Sequence, residues 1–510
     1  MTGWVKIVSS PGMKVGAVLV FGIGTILYLG WLTFGEPFPA DVQCYASVAR
    51  GMREGLWLYA DFFDNKPPGI FLAYWVSTFW GEPARVGINS LAALALLGTL
   101  LGVFEAGRVF SDRTSTGLWA AFFYAGLCQA PGLWGNLPLP ETFMNLFGVW
   151  AFAFFLRGLR TPGSWGWVWL SGLFWGSAAC FKPTVLVTPG LFVAYLALRE
   201  GLKGLRKPWA SGAGRGMVVL LVALIPLSLM TLYFIAHGKS REFLFWMVDF
   251  NHYYVGHLGA NLWDGLRIQR LFPSHVLFLI PWLFAVLMGT FYARVNPLFW
   301  GLGCAWMVSV WFQVSASGRF FNYYYLLWLP PCLVLSAWGL ETLRKAGRPQ
   351  VAMGVGIVLT LIVLTRTWGQ VSLPLERWVE ATNVFTPVDG RRIASQIRAL
   401  LGPGDKYFEW TTEPTFYAEV GQVPPTPLLY GYNLTRGYTY RGRHFDNPLS
   451  DEQRLRVLED LDRVRPLIVV EDRVTRPDEP VLQRYLDTHY RFVGLLGEGE
   501  RFRIFRRVKP

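Results

Sequence analysis

Asp41 and Lys66 bracket a loop that also holds Tyr45, Arg53, Gly55 and Tyr59 and closes on Asp64-Asn65-Lys66-Pro67-Pro68. A carboxylate can take a proton from a hydroxyl, and an ammonium can balance negative charge as it grows on a leaving group. Beside a membrane, that combination suits chemistry on a lipid-borne substrate. Val42, Tyr45, Ala49, Met52 and Leu56 recur at intervals of three and four, with Gln43, Ser47, Arg50 and Glu54 on the other face. The spacing predicts an amphipathic helix lying on the membrane surface. Asp41 precedes its first turn, where it serves as an N-cap, as a general base, or as both, since a cap fixes a carboxylate's position. Pro67 and Pro68 hold the backbone extended ahead of the apolar stretch Gly69 to Trp80. Lys66 is thereby kept at headgroup depth, either as a phosphate ligand or as a snorkelling lysine.

Further charged and aromatic residues stand at the edges of apolar runs. Glu141 follows Pro138-Leu139-Pro140 at the start of one, where a carboxylate complements the helix dipole and either caps the helix or binds substrate. Lys182 interrupts Phe174 to Phe181 and Val185 to Val187, and the cost of charge there argues for a functional or paired role. The loop Ser315 to Tyr325 carries Arg319, whose guanidinium suits phosphate, beside Tyr323 and Tyr324, which fit an aromatic belt as well as a site. His252, next to Tyr253 and Tyr254, is a candidate for substrate or metal, with a structural role as the plainer alternative.

The elements that position these residues are those of a membrane protein. The chain has 510 residues, 53% hydrophobic, 16% aromatic and 16% charged, with a positive mean hydropathy. It is too apolar for an ordinary soluble protein. The net charge of +13 does not mark a nucleic-acid partner, because residues 368 onward carry 21 Lys and Arg against 20 Asp and Glu, leaving the excess in the membrane part. The five cysteines have no paired spacing, which argues against a disulfide framework or zinc site. Lys6 and Lys14 precede an apolar run that is longer than a signal-peptide core, so it is read as a retained transmembrane helix.

Eleven apolar runs approach bilayer length, near 15–34, 84–107, 115–131, 141–156, 165–181, 184–198, 215–236, 273–292, 297–314, 325–342 and 350–367. Those around Lys182-Pro183 read as a broken or partial pair. With a cytoplasmic N-terminus, every inner loop is basic: Arg108 and Arg113; Arg157 and Arg160; Arg199, Lys203, Arg206, Lys207 and Arg215; Arg294; and Arg344, Lys345 and Arg348. The outer loops are then 35–83, 132–140, 237–272 and 315–324, and the C-terminal region is extracytoplasmic. A division into a membrane domain, 1–367, and a soluble α/β domain, 368–510, follows. The latter is expected to hold a helix at Arg391 to Leu401 and strands near Tyr407 to Trp410, Leu467 to Val470, Phe492 to Leu496 and Arg503 to Arg507. Asn433-Leu434-Thr435 fits a glycosylation sequon but carries little weight without a secretory context.

Taken together, Asp41, Tyr45, Gly55, Tyr59, Lys66-Pro67-Pro68, Glu141, Lys182, Gly318-Arg319, Tyr323-Tyr324 and Pro330-Pro331 resemble the GT-C fold glycosyltransferases of family 39. That family includes protein O-mannosyltransferases and the bacterial aminoarabinose transferase that modifies lipid A. The resemblance covers most of the membrane region and is weak over the last third. It implies a GT-C fold of about 11 transmembrane helices and a polyprenyl-phosphate sugar as donor. It also implies an envelope lipid, protein or polysaccharide as acceptor and inversion at the anomeric carbon. Asp41 would be the general base. Lys66, Arg319, Lys182 and Tyr324 would hold the donor phosphate and lipid, and Tyr45, Glu141, His252 and Tyr323 the substrate. Two departures stand out: the family's first acid is often followed by a second, where this chain has Val42, and its late loop often has His where this chain has Asn322. The missing acid disfavours a divalent metal, so no cofactor is expected beyond the lipid-linked donor. A polytopic transporter or flippase is the alternative, and a noncatalytic envelope scaffold or sensor a third reading.

Overall fold

The computed structural model describes residues 11–35, 38–80, 84–161, 163–206, 211–292, 297–372, 390–431, 437–440, 443–446, 450–473, 480–497 and 500–508. The sequon at Asn433, together with Lys207 and Arg294 of the basic loops, lies outside them. Eight helices among the described residues are long and apolar enough to cross a membrane: Val15–Leu32, Arg85–Ser111, Pro140–Arg160, Gly212–Ala236, Ser274–Phe291, Pro297–Ser315, Asn322–Lys345 and Pro349–Gly369. The chain is a multi-pass membrane protein. The other three expected runs are helical over Thr114–Leu127, Trp165–Ala179 and Val187–Arg206 but fall short of a full apolar span. At ~1.5 Å per residue the first two are too short for a ~30 Å core, and the third ends in a charged stretch. The turn Pro183–Leu186, entered from Lys182 in extended conformation, separates two of these helices, which gives the broken pair its form.

The chain packs as two compact units. One comprises Met1–Phe34, Asn89–Met230 and His257–Trp378; the other comprises Gly35–Ile88, Thr231–Gly256 and Val379–Pro510. Packing therefore groups the first loop with the C-terminal region, across the boundary that composition draws at 367. In the first unit, small residues let helices meet closely. A methyl group at Gly339 would collide with the carbonyl of Ala285, so helices Ile280–Tyr292 and Leu329–Lys345 cross backbone to backbone.

In the second unit, a four-stranded sheet has the order β1 (Tyr407–Trp410), β4 (Ile468–Asp472), β6 (Phe502–Arg507), β5 (Tyr490–Leu496). β1 and β4 are parallel, with Tyr407 opposite Ile468, while β6 runs antiparallel to β4 and β5. These are the four strands expected from sequence. β2 (Gly437–Tyr440) and β3 (Arg443–Asp446) form a separate antiparallel pair. Helix Gly390–Ala399 turns Ile393, Ala394 and Ile397 onto the core made by Tyr407, Phe416, Tyr417, Ile468 and Phe502.

Candidate active site

The candidate residues fall into two clusters, one in each unit. In the unit that holds the first loop, helix Ala40–Arg53 starts from Pro39, and Asp41 sits inside its first turn. The N-cap expectation for Asp41 is thus corrected: Pro39 occupies the capping position. The Asp41 carboxylate instead accepts a hydrogen bond from the Tyr430 hydroxyl, 2.8 Å to Oδ1. Nor does the helix turn its whole polar face to water. Gln43 and Ser47 are as buried as Val42, because Gln43 Oε1 accepts the backbone N–H of Ala418 at 2.9 Å. Tyr45 is fully buried, edge-on to Phe71 and Tyr74.

Lys66 is fixed through its backbone. Helix Ala40–Arg53 is followed by Gly55, whose φ of 91° suits the reversal there. Asp64 Oδ1 accepts the Lys66 N–H at 2.8 Å, a side-chain turn characteristic of Asp two residues ahead. The Tyr59 hydroxyl donates to the Lys66 carbonyl at 2.6 Å, from a backbone held at φ 70°. Pro67, extended, and Pro68 then open helix Pro68–Ser77. The ammonium donates to Asn65 Oδ1 at 3.3 Å and stands 5.8 Å from the Tyr254 ring centroid. Asn65 is itself held by Asn251, 3.1 Å away.

The electrostatics of this cluster tie the residues together. Burial pushes the Asp64 carboxyl above its ordinary range, and Lys66 and the Cys44 thiol, 3.1 Å from Oδ2, offset part of that. Burial works against the Lys66 charge, but Asp64, then Tyr254 and Asp41, outweigh it and hold the ammonium above the ordinary lysine range. Glu413 is pushed up to about 7 by burial and by the charge of Asp41. Of these, Asp64 was legible as turn chemistry in Asp64-Asn65-Lys66. Tyr430, Glu413, Cys44 and Asn251 carried no sequence signal. His252 is exposed on helix Phe250–Val255, beside Tyr253.

In the other unit, Glu141 lies in the first turn of helix Pro140–Arg160 and, like Asp41, does not cap it. Its Oε1 accepts a hydrogen bond from Lys182 Nζ at 2.9 Å, and that ammonium also stands 3.5 Å from the Tyr324 ring centroid. Lys182 therefore has the paired role that its cost in an apolar run demanded. Tyr324 meets Tyr323 and Phe321 edge-on, and Tyr323 packs on Trp134. Arg319 is 1% exposed, following Gly318 at φ 67°. Arg270 lies 4.8 Å from the Phe320 ring, and its carbonyl accepts the Tyr325 hydroxyl at 2.6 Å, which pins this loop. The same unit has an apolar cavity of about 500 Å³ lined by Leu266, Leu271, Val276, Met307, Trp311 and Cys332. Among the described residues, no three His, Cys, Asp or Glu gather so as to hold a metal ion.

The fold is that of the GT-C membrane glycosyltransferases. The chain resembles ArnT from Cupriavidus metallidurans in its apo state with a TM-score of 0.65 at 15% identity, over 99% of this chain and 98% of that one. ArnT bound to undecaprenyl phosphate gives 0.61 at the same identity and coverage. The Archaeoglobus fulgidus oligosaccharyltransferase AglB, in complex with an inhibitory peptide and a dolichol-phosphate, gives 0.56 at 12% identity over 97% of this chain and 74% of that one. The mycobacterial arabinofuranosyltransferase AftD gives 0.55 at 14%, over 96% and 40%. No family model matches the chain, and no curated protein sequence does either.

Proposed function

We propose that this protein transfers a sugar from a polyprenyl-phosphate donor to a hydroxyl of an envelope lipid, protein or polysaccharide, on the extracytoplasmic face and with inversion. Asp41 takes the acceptor's proton as its oxygen bonds to the anomeric carbon. The bond from that carbon to phosphate breaks with its electron pair on the phosphate oxygen, and polyprenyl phosphate leaves. Lys66 meets the negative charge that grows there. Arg319 is a further candidate cation for phosphate and Lys182, already paired with Glu141, a weaker one, with Tyr324, Tyr323, Glu141 and His252 for lipid or sugar contacts. The apolar cavity suits an isoprenoid chain. The N-terminus is cytoplasmic in this reading, and the transfer needs no metal.

The observation that supports the proposal is one packed loop that holds both groups, Asp41 bonded by the Tyr430 hydroxyl and Lys66 fixed through its backbone by Asp64 and Tyr59. The GT-C fold supports the reading from a second side. The test uses the full chain in proteoliposomes with radiolabelled undecaprenyl-phosphate mannose, glucose or arabinose and an extract of envelope acceptors. Asp41→Asn is expected to lower transfer at least ~100-fold with normal membrane insertion. Retained transfer removes Asp41 as the base, and movement of donor across the bilayer without transfer favours the flippase.

A further inference from the structure

The hydrogen bond from Tyr430 to Asp41 joins residues 389 positions apart. It is not an isolated touch. Segment Thr411–Gly431 is seated on the first loop at several points. Ala418 N–H donates to Gln43, the Phe63 N–H donates to the Pro427 carbonyl at 2.8 Å, and Arg85, on the helix that follows the loop, pairs with Glu419. The segment is also closed on itself, since the Gly431 N–H donates to the Thr412 carbonyl at 3.0 Å. At its base the buried Glu409 carboxyl accepts the Tyr407 hydroxyl at 2.7 Å and the N–H groups of Thr415 and Phe416 at 2.8 and 3.0 Å. Tyr430 is 5% exposed, so its phenol reaches Asp41 from a preformed, packed position.

We infer that the C-terminal region is a working part of the first-loop cluster, with Tyr430 a positioning residue that holds the Asp41 carboxylate in one orientation. This rests on Asp41 being the base. A donor aimed at a carboxylate stabilises the anion and fixes its oxygens, which a base needs before an acceptor hydroxyl arrives. The other groups facing Asp41 through the field are Cys44 on its own helix, Lys66 and Asp64 in the loop, Tyr74 on helix Pro68–Ser77 and Glu413 in the seated segment. Tyr430 reaches it by a hydrogen bond, 2.8 Å to Oδ1. A region that only displayed an acceptor or shielded the membrane face would have no need to place a phenol there.

The test is Tyr430→Phe in the full chain, which keeps the ring and removes only the donor. With the undecaprenyl-phosphate sugar that the wild type uses, kcat is expected to fall about 10-fold while the donor KM changes less than ~2-fold, because a misoriented base slows the chemical step and leaves donor binding intact. In the Asp41→Asn background the same change is expected to cost nothing further. An unchanged kcat, or an equal fall in both backgrounds, overturns the inference while leaving Asp41 as the base. If Asp41→Asn retains transfer, the base reading fails instead. Should Tyr430→Phe fail to insert, Gln43→Leu removes a second tie to the same segment and is expected to lower kcat in the same way. An unchanged kcat there counts against the inference.

Discussion

Lys66 and Lys182 are the two lysines placed at apolar edges, and their surroundings differ in kind. Lys182 meets a carboxylate directly, 2.9 Å from Glu141, and covers the Tyr324 ring. Its charge is largely answered within the protein. Lys66 has an amide oxygen at 3.3 Å and the Tyr254 ring further off, while the carboxylate of Asp64 grips its backbone N–H rather than its ammonium. The positive charge is sustained by the surrounding field and not cancelled by an ion pair. A cation of the first kind holds a structure together, and removing it leaves a buried carboxylate without its partner. One of the second kind retains its electrostatic reach for an anion brought to it.

The contrast gives opposite expectations for the same substitution. Lys66→Met should lower transfer by roughly 1000-fold, or about 4 kcal/mol, with little change in thermal unfolding of the purified full chain. Lys182→Met should instead destabilise by ~3 kcal/mol, and the double change with Glu141→Gln should recover most of that. If Lys182→Met abolishes transfer at unchanged stability, the division of roles is reversed. Assays and melting curves on the three variants decide it.

A weaker effect sharpens the picture of what seats Tyr430. Burial pushes the Glu409 carboxyl from 4.5 up to about 7, against the pull of its hydrogen-bond donors. The native state therefore binds this proton more tightly than the unfolded chain does. Its contribution to stability is complete below pH ~4.5 and is lost as pH rises to about 7, by up to ~3 kcal/mol. Glu409→Gln should flatten that slope in melting curves taken from pH 4.5 to 8. The smallest expected effect is that of a chelator: transfer should be unchanged by EDTA, since the proposal places cationic side chains on the phosphate. Loss with EDTA and recovery with a divalent ion would replace Lys66 with a metal in that role.

Much of the Lys66 arrangement was open to a local reading. Asp two residues ahead of an N–H makes a side-chain turn, and two prolines fix the exit, so Asp64-Asn65-Lys66-Pro67-Pro68 specifies its own conformation. Asp41 was harder. An acid before an apolar helix reads as a cap, but Pro39 takes that position because its backbone is already extended, and the carboxylate is left to a distant phenol. The polar face of helix Ala40–Arg53 misled for the same reason. Alternation tells which side differs from the other, but not whether water or the segment around Ala418 covers the polar one.

The sequence by itself determined the multi-pass membrane character, the strands of the C-terminal sheet and the local fixing of Lys66. Each depends on properties summed over a few neighbouring residues: apolar length, alternation and turn chemistry. Only the tertiary structure decided that Lys182 is paired with Glu141, that Tyr45 is buried, and that the C-terminal region brings Tyr430 to Asp41. Those outcomes depend on which surfaces bury one another across hundreds of residues. Such pairings leave no periodic trace in the chain, because the partners share a place in the fold and not a stretch of sequence.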